Sequence, residues 1–482
     1  MHKHSKWLIF VLVAIAQFMV VLDISITNVA LPTIKHDLGF STSMLQWVIT
    51  AYALTFGGFL LLGGRAADLF GRRRVLLSGM LAFTLFSLLI GLSRTNTELM
   101  ILRAAQGSAA ALMSPSALSI VLTTFKDGQE RNRALAYWSL VAAAGGAVGL
   151  LLGGALTQYV GWRWNFFINV PVGIIISMAV LRVVPKHELE EKSQQTLDLR
   201  GAALVTSSLI IQVLAFSMAP RWGWLNGSTL GLIGLSVVLM GGFLFNEAKI
   251  AKHPLMPLSI LGNRNVVGAN AMMAAMYATM LGMFFIITLY VQNVLHYSPV
   301  KAGLSFLPFP VIIGIISSVI PKLVGRYGYK RFLVIGPSLV GLAMIWLSRL
   351  PADGSYVFNL LPAMIVIPLG VGLTFMPIIV AATSGVSPEK SGLASGLITT
   401  SQQMGGALGL AILSSVAASA TAAATHASGD VALVRGFDRA IGVSVVFMVI
   451  AISVAVIVIR KPNRSPSQGT PARLADTAEL SL

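Results

Sequence analysis

Apolar runs of about twenty residues recur along the whole of this chain, and nothing constrains its fold more. A helix needs a run of that length to cross a bilayer core of about 30 Å. Inside lipid every backbone N–H and C=O must also be paired within the protein. Fourteen runs are legible, at 7–29, 46–64, 75–95, 98–124, 134–158, 163–183, 201–219, 228–247, 266–291, 302–321, 332–350, 357–384, 392–416 and 440–460. No A-x-A-like cleavage site follows the first, so it reads as a retained helix rather than a signal peptide. Composition agrees. Only 11% of the 482 residues are charged and 56% are hydrophobic, whereas soluble domains carry about 25% charged residues. The expected class is an all-α polytopic membrane protein.

An even number of spans puts both termini on one side, and the basic residues say which. Of the 34 lysines and arginines, Lys35, Arg94, Arg163, Arg221, Lys301, Arg349, Arg435 and Arg439 fall on the side away from the termini, and Arg103 lies inside a span. All the others sit on the terminal side, which is therefore expected to be cytoplasmic, with the protein in the plasma (inner) membrane. Trp47, Trp162, Trp164, Trp222 and Trp224 fall at helix ends on the opposite side, as an aromatic belt does. The net charge of +17 is spread over these short loops with no long basic block, so no nucleic-acid partner is expected. The chain has no cysteine, which excludes disulfides, thiolate catalysis and Cys-ligated metals. It has no phosphate loop of the form G-x-x-x-x-G-K-[ST] and no credible triad or metal cluster. His2 and His4 read as incidental. The chain is expected not to be an enzyme and to hold neither metal nor cofactor.

Two stretches repeat. "GGRAADLFGRRR" follows the second run and "PKLVGRYGYKR" the tenth, and aligning Gly71 with Gly328 aligns Arg73 with Lys330. "GGAVG" (Gly145 to Gly149) matches "GGALG" (Gly405 to Gly409) at nearly the same separation. Two six-helix halves in parallel repeat are expected, 1–183 and 266–460. An inserted helix pair with its loops occupies 184–265, and a polar, Pro- and Ser-rich tail, expected to be disordered, occupies 461–482. Parallel repeats are a mark of secondary transporters, whose site lies between the halves near the midplane.

Of the seventeen acidic residues, only Asp23 falls well inside a span. Sixteen residues of helix raise it about 24 Å from one surface, and five place Arg103 about 8 Å below the other. Both therefore lie at a similar depth, in the half away from the termini. A charge there costs about 2.5–3.5 kcal/mol on insertion scales and faces a partner or a water-filled cavity. Burial disfavours an ionised carboxylate and a nearby arginine favours it, so such a pair suits proton coupling. The alternative is a hydrogen bond that merely locks helices together. Gly145, Gly149, Gly153 and Gly154 line one stripe of the fifth run, fit for close packing or for a bending gate. Met272, Met273, Met276, Met280 and Met283 fall largely on one face of the ninth, as core or as an adaptable binding surface. Gln17, Asn28, Gln106, Gln402 and Gln403 either line a cavity or tie helices together.

These residues together resemble the fourteen-helix drug:proton antiporters of the major facilitator superfamily, over roughly 7–460. "LDISITNVALP" is similar to that group's helix 1 motif, with its acid at Asp23. "GRAADLFGRRR" resembles the loop motif G-x-L-A-D-R-x-G-R-K at Gly64, Ala67, Asp68, Gly71 and Arg72. "RAAQGSAAA" resembles the helix 4 motif, whose arginine falls on Arg103, and "WRWNFFINVPVG" the segment that opens helix 6. Leu150 stands where the helix 5 motif has proline, Ala66 replaces a leucine and Leu69 an arginine. The resemblance implies the major facilitator fold and proton-driven export of a lipophilic, monovalent cationic or neutral compound by alternating access. Asp23 and Arg103 would couple protons. Gly64, Arg65, Asp68, Gly71, Arg72 and Arg73 would form a conformational latch, and the helix 5 glycines a gate. Gln17, Asn28, Gln106, Met276, Met280, Gln402 and Gln403 are candidates for the substrate cavity. The partners implied are the substrate, protons and the lipid bilayer. Rival readings are a dedicated exporter or symporter of a metabolite or lipid, and a non-transporting membrane sensor.

Overall fold

The computed structural model describes residues 3–125, 128–185, 197–384, 386, 388–424 and 429–460. The expected tail at 461–482 and the acids Asp127, Glu188, Glu190 and Glu191 lie outside them. Among the described residues fourteen helices are long and apolar enough to cross a membrane: α1 (Lys6–Leu38), α2 (Trp47–Phe70), α3 (Arg72–Leu92), α4 (Asn96–Thr124), α5 (Gln129–Tyr159), α6 (Trp164–Val183), α7 (Leu199–Trp222), α8 (Gly227–Ile250), α9 (Arg264–Val294), α10 (Pro299–Tyr327), α11 (Tyr329–Leu347), α12 (Tyr356–Thr383), α13 (Leu393–Ala423) and α14 (Gly429–Ile457). All fourteen expected spans are present.

Their ends differ from the apolar runs for identifiable reasons. The first run closes at 29, before Pro32, yet α1 continues through that proline to Leu38. Its stop is Gly39, at φ +67°, the left-handed conformation that ends helices and that glycine adopts without a Cβ penalty. α10 starts three residues before its run, because the Ser298 side chain accepts from Lys301 N and Pro299 takes a first-turn position, where its missing N–H costs nothing.

The packing repeats with a shift of eight helices. α1 packs on α5, α4 and α6, α2 on α4, and α3 on α4 and α6; in the same way α9 packs on α13, α12 and α14, α10 on α12, and α11 on α12 and α14. The two aligned loops share backbone and contacts. Gly71 and Gly328 both carry positive φ, +92° and +76°. Arg73 donates to the Leu181 carbonyl near the end of α6, and Lys330 donates to the Val456 and Ile459 carbonyls at the end of α14. Each cation satisfies carbonyls that a helix C-terminus leaves unpaired. The paired Gly motifs behave alike too. Gly145 and Gly149 bring α5 against Val21 and Ser25 of α1, and Gly405 and Gly409 bring α13 against Ala274 and Ala278 of α9.

Between the halves α2 runs along α13, α5 meets α10, and α1 touches α9. The inserted α7 lies over the α2–α13 seam and holds both sides. Ser217 accepts from Gln46 Nε2 at 2.6 Å and from Trp47 Nε1 at 3.1 Å, while Ser415 of α13 donates to the Phe216 carbonyl. α8 leans on α7 and turns Leu235, Val237, Val238 and Phe245 outward. Of the expected aromatic belt, Trp164, Trp222 and Trp224 are exposed, but Trp47 and Trp162 are buried, because their ring N–H groups bond to Ser217 and Asp37.

Accessibility differs between the two ends. From Ile26 to Leu31 every residue of α1 is buried, whereas Gln17, Phe18, Val21, Ile24 and Ser25, nearer the basic face, are partly accessible. On α9 the accessible stripe is Asn270, Ala274, Tyr277, Leu281 and Phe284, a helical period that opposes the buried methionines. α1 and α9 are counterparts in the two halves, and these stripes flank a cleft open towards the basic face.

Candidate functional site

Asp23 and Arg103 meet. The carboxylate is 0% and the guanidinium residue 1% exposed, with Arg103 Nη1 2.5 Å from Asp23 Oδ2. Each buried partner needs its remaining groups satisfied if the pair is not to be a net cost, and α2, α4 and α6 supply them, with α3 behind Gln106. Arg103 Nε donates to the Val48 carbonyl of α2 at 2.8 Å. Gln106, one turn beyond Arg103 on α4, accepts from its Nη1 at 2.6 Å. The same Gln106 donates from Nε2 to Asp23 Oδ1 and to Ser87 Oγ of α3, both at 2.9 Å. Asn169 of α6 adds a longer bond to Asp23 Oδ1, 3.3 Å. The guanidinium lies over the Tyr52 ring at 4.5 Å and near that of Phe166 at 5.7 Å, cation–π contacts that gain strength where water is excluded.

Local sequence explains why these groups converge. Gly107 lets α4 press on α2: a Cβ there would lie 2.3 Å from the Tyr52 carbonyl. That approach brings Arg103 Nε within reach of Val48. On the other side, the α1–α5 glycine contact and the Thr27 hydroxyl bond to the Asp23 carbonyl, 2.6 Å, steady the helix that carries the acid. One arginine donor set is thus shared among a carboxylate, an amide oxygen and a backbone carbonyl. Such an arrangement retains two acceptors for the cation when the carboxylate changes charge.

The other expected residues disperse. Gln17 accepts from Ser114 at 2.9 Å on the accessible part of α1. Gln402 is partly accessible beside Tyr277, whose ring stacks on Phe375 with centroids 5.6 Å apart. Gln403 is buried where Gly57 of α2 meets α13. Asn28 is buried with its side-chain oxygen unpaired. Met276 and Met280 are packed in the core of the second half, not along the cleft stripe of α9. Gln106 belongs to the ion-pair network rather than to the cleft.

The expected latch divides in three. Arg72 Nη2 lies 3.7 Å from Asp68 on the exposed surface. Arg65 donates instead to the His253 and Pro254 carbonyls, at 3.1 and 2.7 Å, in the segment after α8, and Arg73 reaches α6 as described. Gly64 has only Pro115 near it, whereas the neighbouring Gly63 is pressed on the Ala111 carbonyl. Of the helix 5 stripe, Gly145, Gly149 and Gly153 face α1, while Gly154 crosses to the Pro299 carbonyl of α10. Leu150 sits at the same crossing, its carbonyl against Gly303.

Tyr52, Ser87, Asn169 and Phe166 were not among the expected site residues. Asn169 and Phe166 lie inside "WRWNFFINVPVG", so a signal for them existed. Tyr52 and Ser87 had none, since hydroxyls in spans are common.

A parallel-repeat bundle of this packing, with a buried ion pair beside a cleft between the halves, defines a secondary-transporter architecture. The model of the Major Facilitator Superfamily matches residues 13–410, and the chain belongs to that superfamily. It is 38% identical to the puromycin resistance protein pur8 of Streptomyces alboniger, over 92% of this chain and 88% of that protein. It is 37% identical to the cephamycin export protein CmcT of Amycolatopsis lactamdurans, over 92% and 90%, and 32% identical to the multidrug resistance protein Stp of Mycobacterium tuberculosis, over 86% and 76%. Two solved structures share the fold. One is a bacterial homolog of the human lysosomal transporter Spinster (TM-score 0.67, 15% identity, covering 94% of this chain and 97% of that one). The other is a POT family peptide transporter (0.67, 17%, 94% and 95%).

Proposed function

We propose that this chain exports lipophilic, drug-like compounds across the plasma membrane in exchange for protons, by alternating access between the halves 1–183 and 266–460 around the insertion 184–265. The observation that carries the reading is the fully buried Asp23–Arg103 pair beside the cleft, in a chain 32–38% identical to the resistance and export proteins named above. Both termini and the basic loops lie in the cytoplasm, so the cleft receives substrate from the cytoplasm or the inner leaflet. Its partly accessible lining of Gln17, Phe18, Val21, Tyr277, Phe284 and Gln402 is mostly apolar with few polar groups. It offers no second membrane carboxylate among the described residues nearby, which suits a neutral or monovalent cationic cargo.

In this mechanism a proton arriving from outside neutralises Asp23 and weakens its hold on Arg103. The guanidinium stays with Gln106, the Val48 carbonyl and the Tyr52 ring. This protonation takes place while the α5–α10 contact at Gly154 and Gly303 and the α1–α9 contact are parted; with the proton held they close and the basic face opens. Asp68 and Arg72 steady the joint between α2 and α3 during this rocking, and Arg73 holds it to α6. Deprotonation towards the cytoplasm restores the pair and resets the cleft.

The test is Asp23→Asn, which keeps an acceptor for Arg103 but cannot bind and release a proton. In proteoliposomes with an imposed pH gradient, substrate-driven proton movement and uphill efflux are expected to fall at least tenfold, with substrate binding retained. Undiminished coupled efflux would overturn the assignment.

A further inference from the structure

On the basic face, far along the chain from Asp23, the inserted helix pair ends in a knot of polar groups for which the transport cycle above has no use. Asp198 caps α7, its Oδ1 accepting from Gly201 N at 2.8 Å. Its Oδ2 accepts from Asn246 Nδ2, at the end of α8, also at 2.8 Å. The next residue, Glu247, is only 5% exposed. Its Oε2 accepts from Met256 N at 2.8 Å, in the segment that joins α8 to α9. Its Oε1 is buried with no donor and turns to the Asp198 carboxyl. A Cβ on Gly201 would lie 2.5 Å from Asp198 Oδ2 and 2.7 Å from Glu247 Oε1, so this glycine leaves the room in which the two carboxyls meet.

The charged and titratable groups around Glu247 are few. Asp198 faces it from α7 and Arg65 from α2, and His253 lies in the joining segment. Arg65 does not bridge the carboxyls; its guanidinium donates to the His253 and Pro254 carbonyls. Arg200, Lys249 and Lys252 are exposed. Among the described residues no cation forms an ion pair with either acid. Two ionised carboxylates side by side, one of them buried, repel each other, and one then holds a proton. An ionised carboxylate is an acceptor only, whereas a protonated one donates. The missing donor at Oε1 is that hydrogen.

We propose that Asp198 and Glu247 share one proton, forming a second proton-binding site on the basic face that closes a clamp from α7 and α8, through residues 251–257, to Arg65 on α2. With the proton in place, Glu247 keeps its bond to Met256 N and the segment presents its two carbonyls to Arg65. When it leaves, the pair carries two like charges, Glu247 moves off and Arg65 loses its carbonyl cradle. The clamp is closed at low pH on that face and opens as pH rises. It acts on α2, the helix that runs along α13 between the halves, and so lets pH at the basic face bias the seam without passing through Asp23. The inference stands apart from the proposed coupling role of Asp23.

The chain has no cysteine, so Phe70→Cys with Lys252→Cys, both exposed sites, places one pair of spin labels across the clamp. In proteoliposomes the label distance is expected to be short and narrow in acid, and longer and broader in alkali. Glu247→Gln donates to Asp198 in place of the proton and is expected to hold the short distance at every pH. Glu247→Ala gives the long one throughout. Asp23→Asn is expected to leave the transition unchanged. Infrared difference spectra supply a second measurement: Asp23→Asn should retain a titrating protonated-carboxyl band that Asp23→Asn/Glu247→Gln loses. A label distance unmoved by pH in the otherwise unaltered chain, or identical infrared spectra for those two variants, would overturn the shared proton. Undiminished efflux by Asp23→Asn would bear on the central pair alone.

Discussion

The first half gathers five helices around a buried ion pair, and the second half has methionine at the corresponding places. Gly149 meets Ser25 and Gly409 meets Ala278, which pairs Asp23 with Met276, each two residues earlier. Gly79 rests on the Ala109 carbonyl and Gly336 on that of Gly370. That pairs Arg103 with Met364, and likewise Ser87 with Met344. Met276, Met344 and Met364 are at most 1% exposed and belong to one core cluster. The same scaffold thus supports a polar network on one side and a flexible apolar filling on the other. Helix packing by small residues does not need the charges. The charges are an addition to a fold that stands without them, which is what a functional rather than a structural role looks like.

The sharpest way to break this comparison is to make the first half resemble the second. Arg103→Met alone leaves Asp23 buried without its cation, and losing one partner of a buried pair costs about 3–5 kcal/mol. Asp23→Met/Arg103→Met removes both charges. Replacing a buried pair by apolar groups of similar volume is neutral or stabilising by about 1–4 kcal/mol, so the double variant should melt at or above the parent temperature, yet show no coupled efflux. Thermal unfolding in detergent and proteoliposome efflux read the two effects separately. A double variant as unstable as Arg103→Met would mean that the pair is a structural lock, and the contrast between the halves would lose its meaning.

Glycine contacts give a smaller test on the same axis. A Cβ at position 409 would lie 2.3 Å from the Ala278 Cα, and one at position 149 would lie 2.7 Å from the Ser25 Cβ. Overpacking a fitted interface costs about 1–3 kcal/mol. Gly409→Ala, which meets backbone, should fall near the upper end and Gly149→Ala, which meets a side chain, near the lower. Equal losses would mean that the halves relax alike despite their different fillings.

What was legible in the sequence follows from how sharply physics penalises the alternative. Spans were legible because a bilayer demands long apolar runs, and Asp23 and Arg103 because no other charges lie well inside those runs at matching depth. Helix rotation is penalised far less by any single residue. Nothing in the chain alone told Gln106, which joins the ion pair, from Gln402, which borders the cleft. The methionine run of α9 was periodic enough to mark one face, but apolar residues suit a core and a binding surface equally, and the core has them. The apolar run closed at 29, short of the stop of α1 at Gly39. Arg65 read as one member of the loop latch, and its true acceptors were out of sight because they lie nearly two hundred residues later in chain order (Arg65 to His253 and Pro254).

The smallest expected effect concerns the two cations that hold helix ends. Arg73 and Lys330 occupy matching places after Gly71 and Gly328, and each donates to carbonyls at the end of the last helix of its half. A cation near a helix C-terminus contributes about 0.3–1 kcal/mol, reduced by salt. Arg73→Met and Lys330→Met keep the apolar stems, which themselves cover surface, and remove only the charge and its hydrogen bonds. Each should lower the unfolding temperature slightly and by a similar amount. The double variant should show the sum, since sites this far apart with no shared partner are additive, and raising ionic strength should shrink all three losses. Two unshifted melting curves would leave these residues as topology signals only. A large loss at one position and none at the other would show that the repeated loops, alike in sequence and backbone, no longer do the same job.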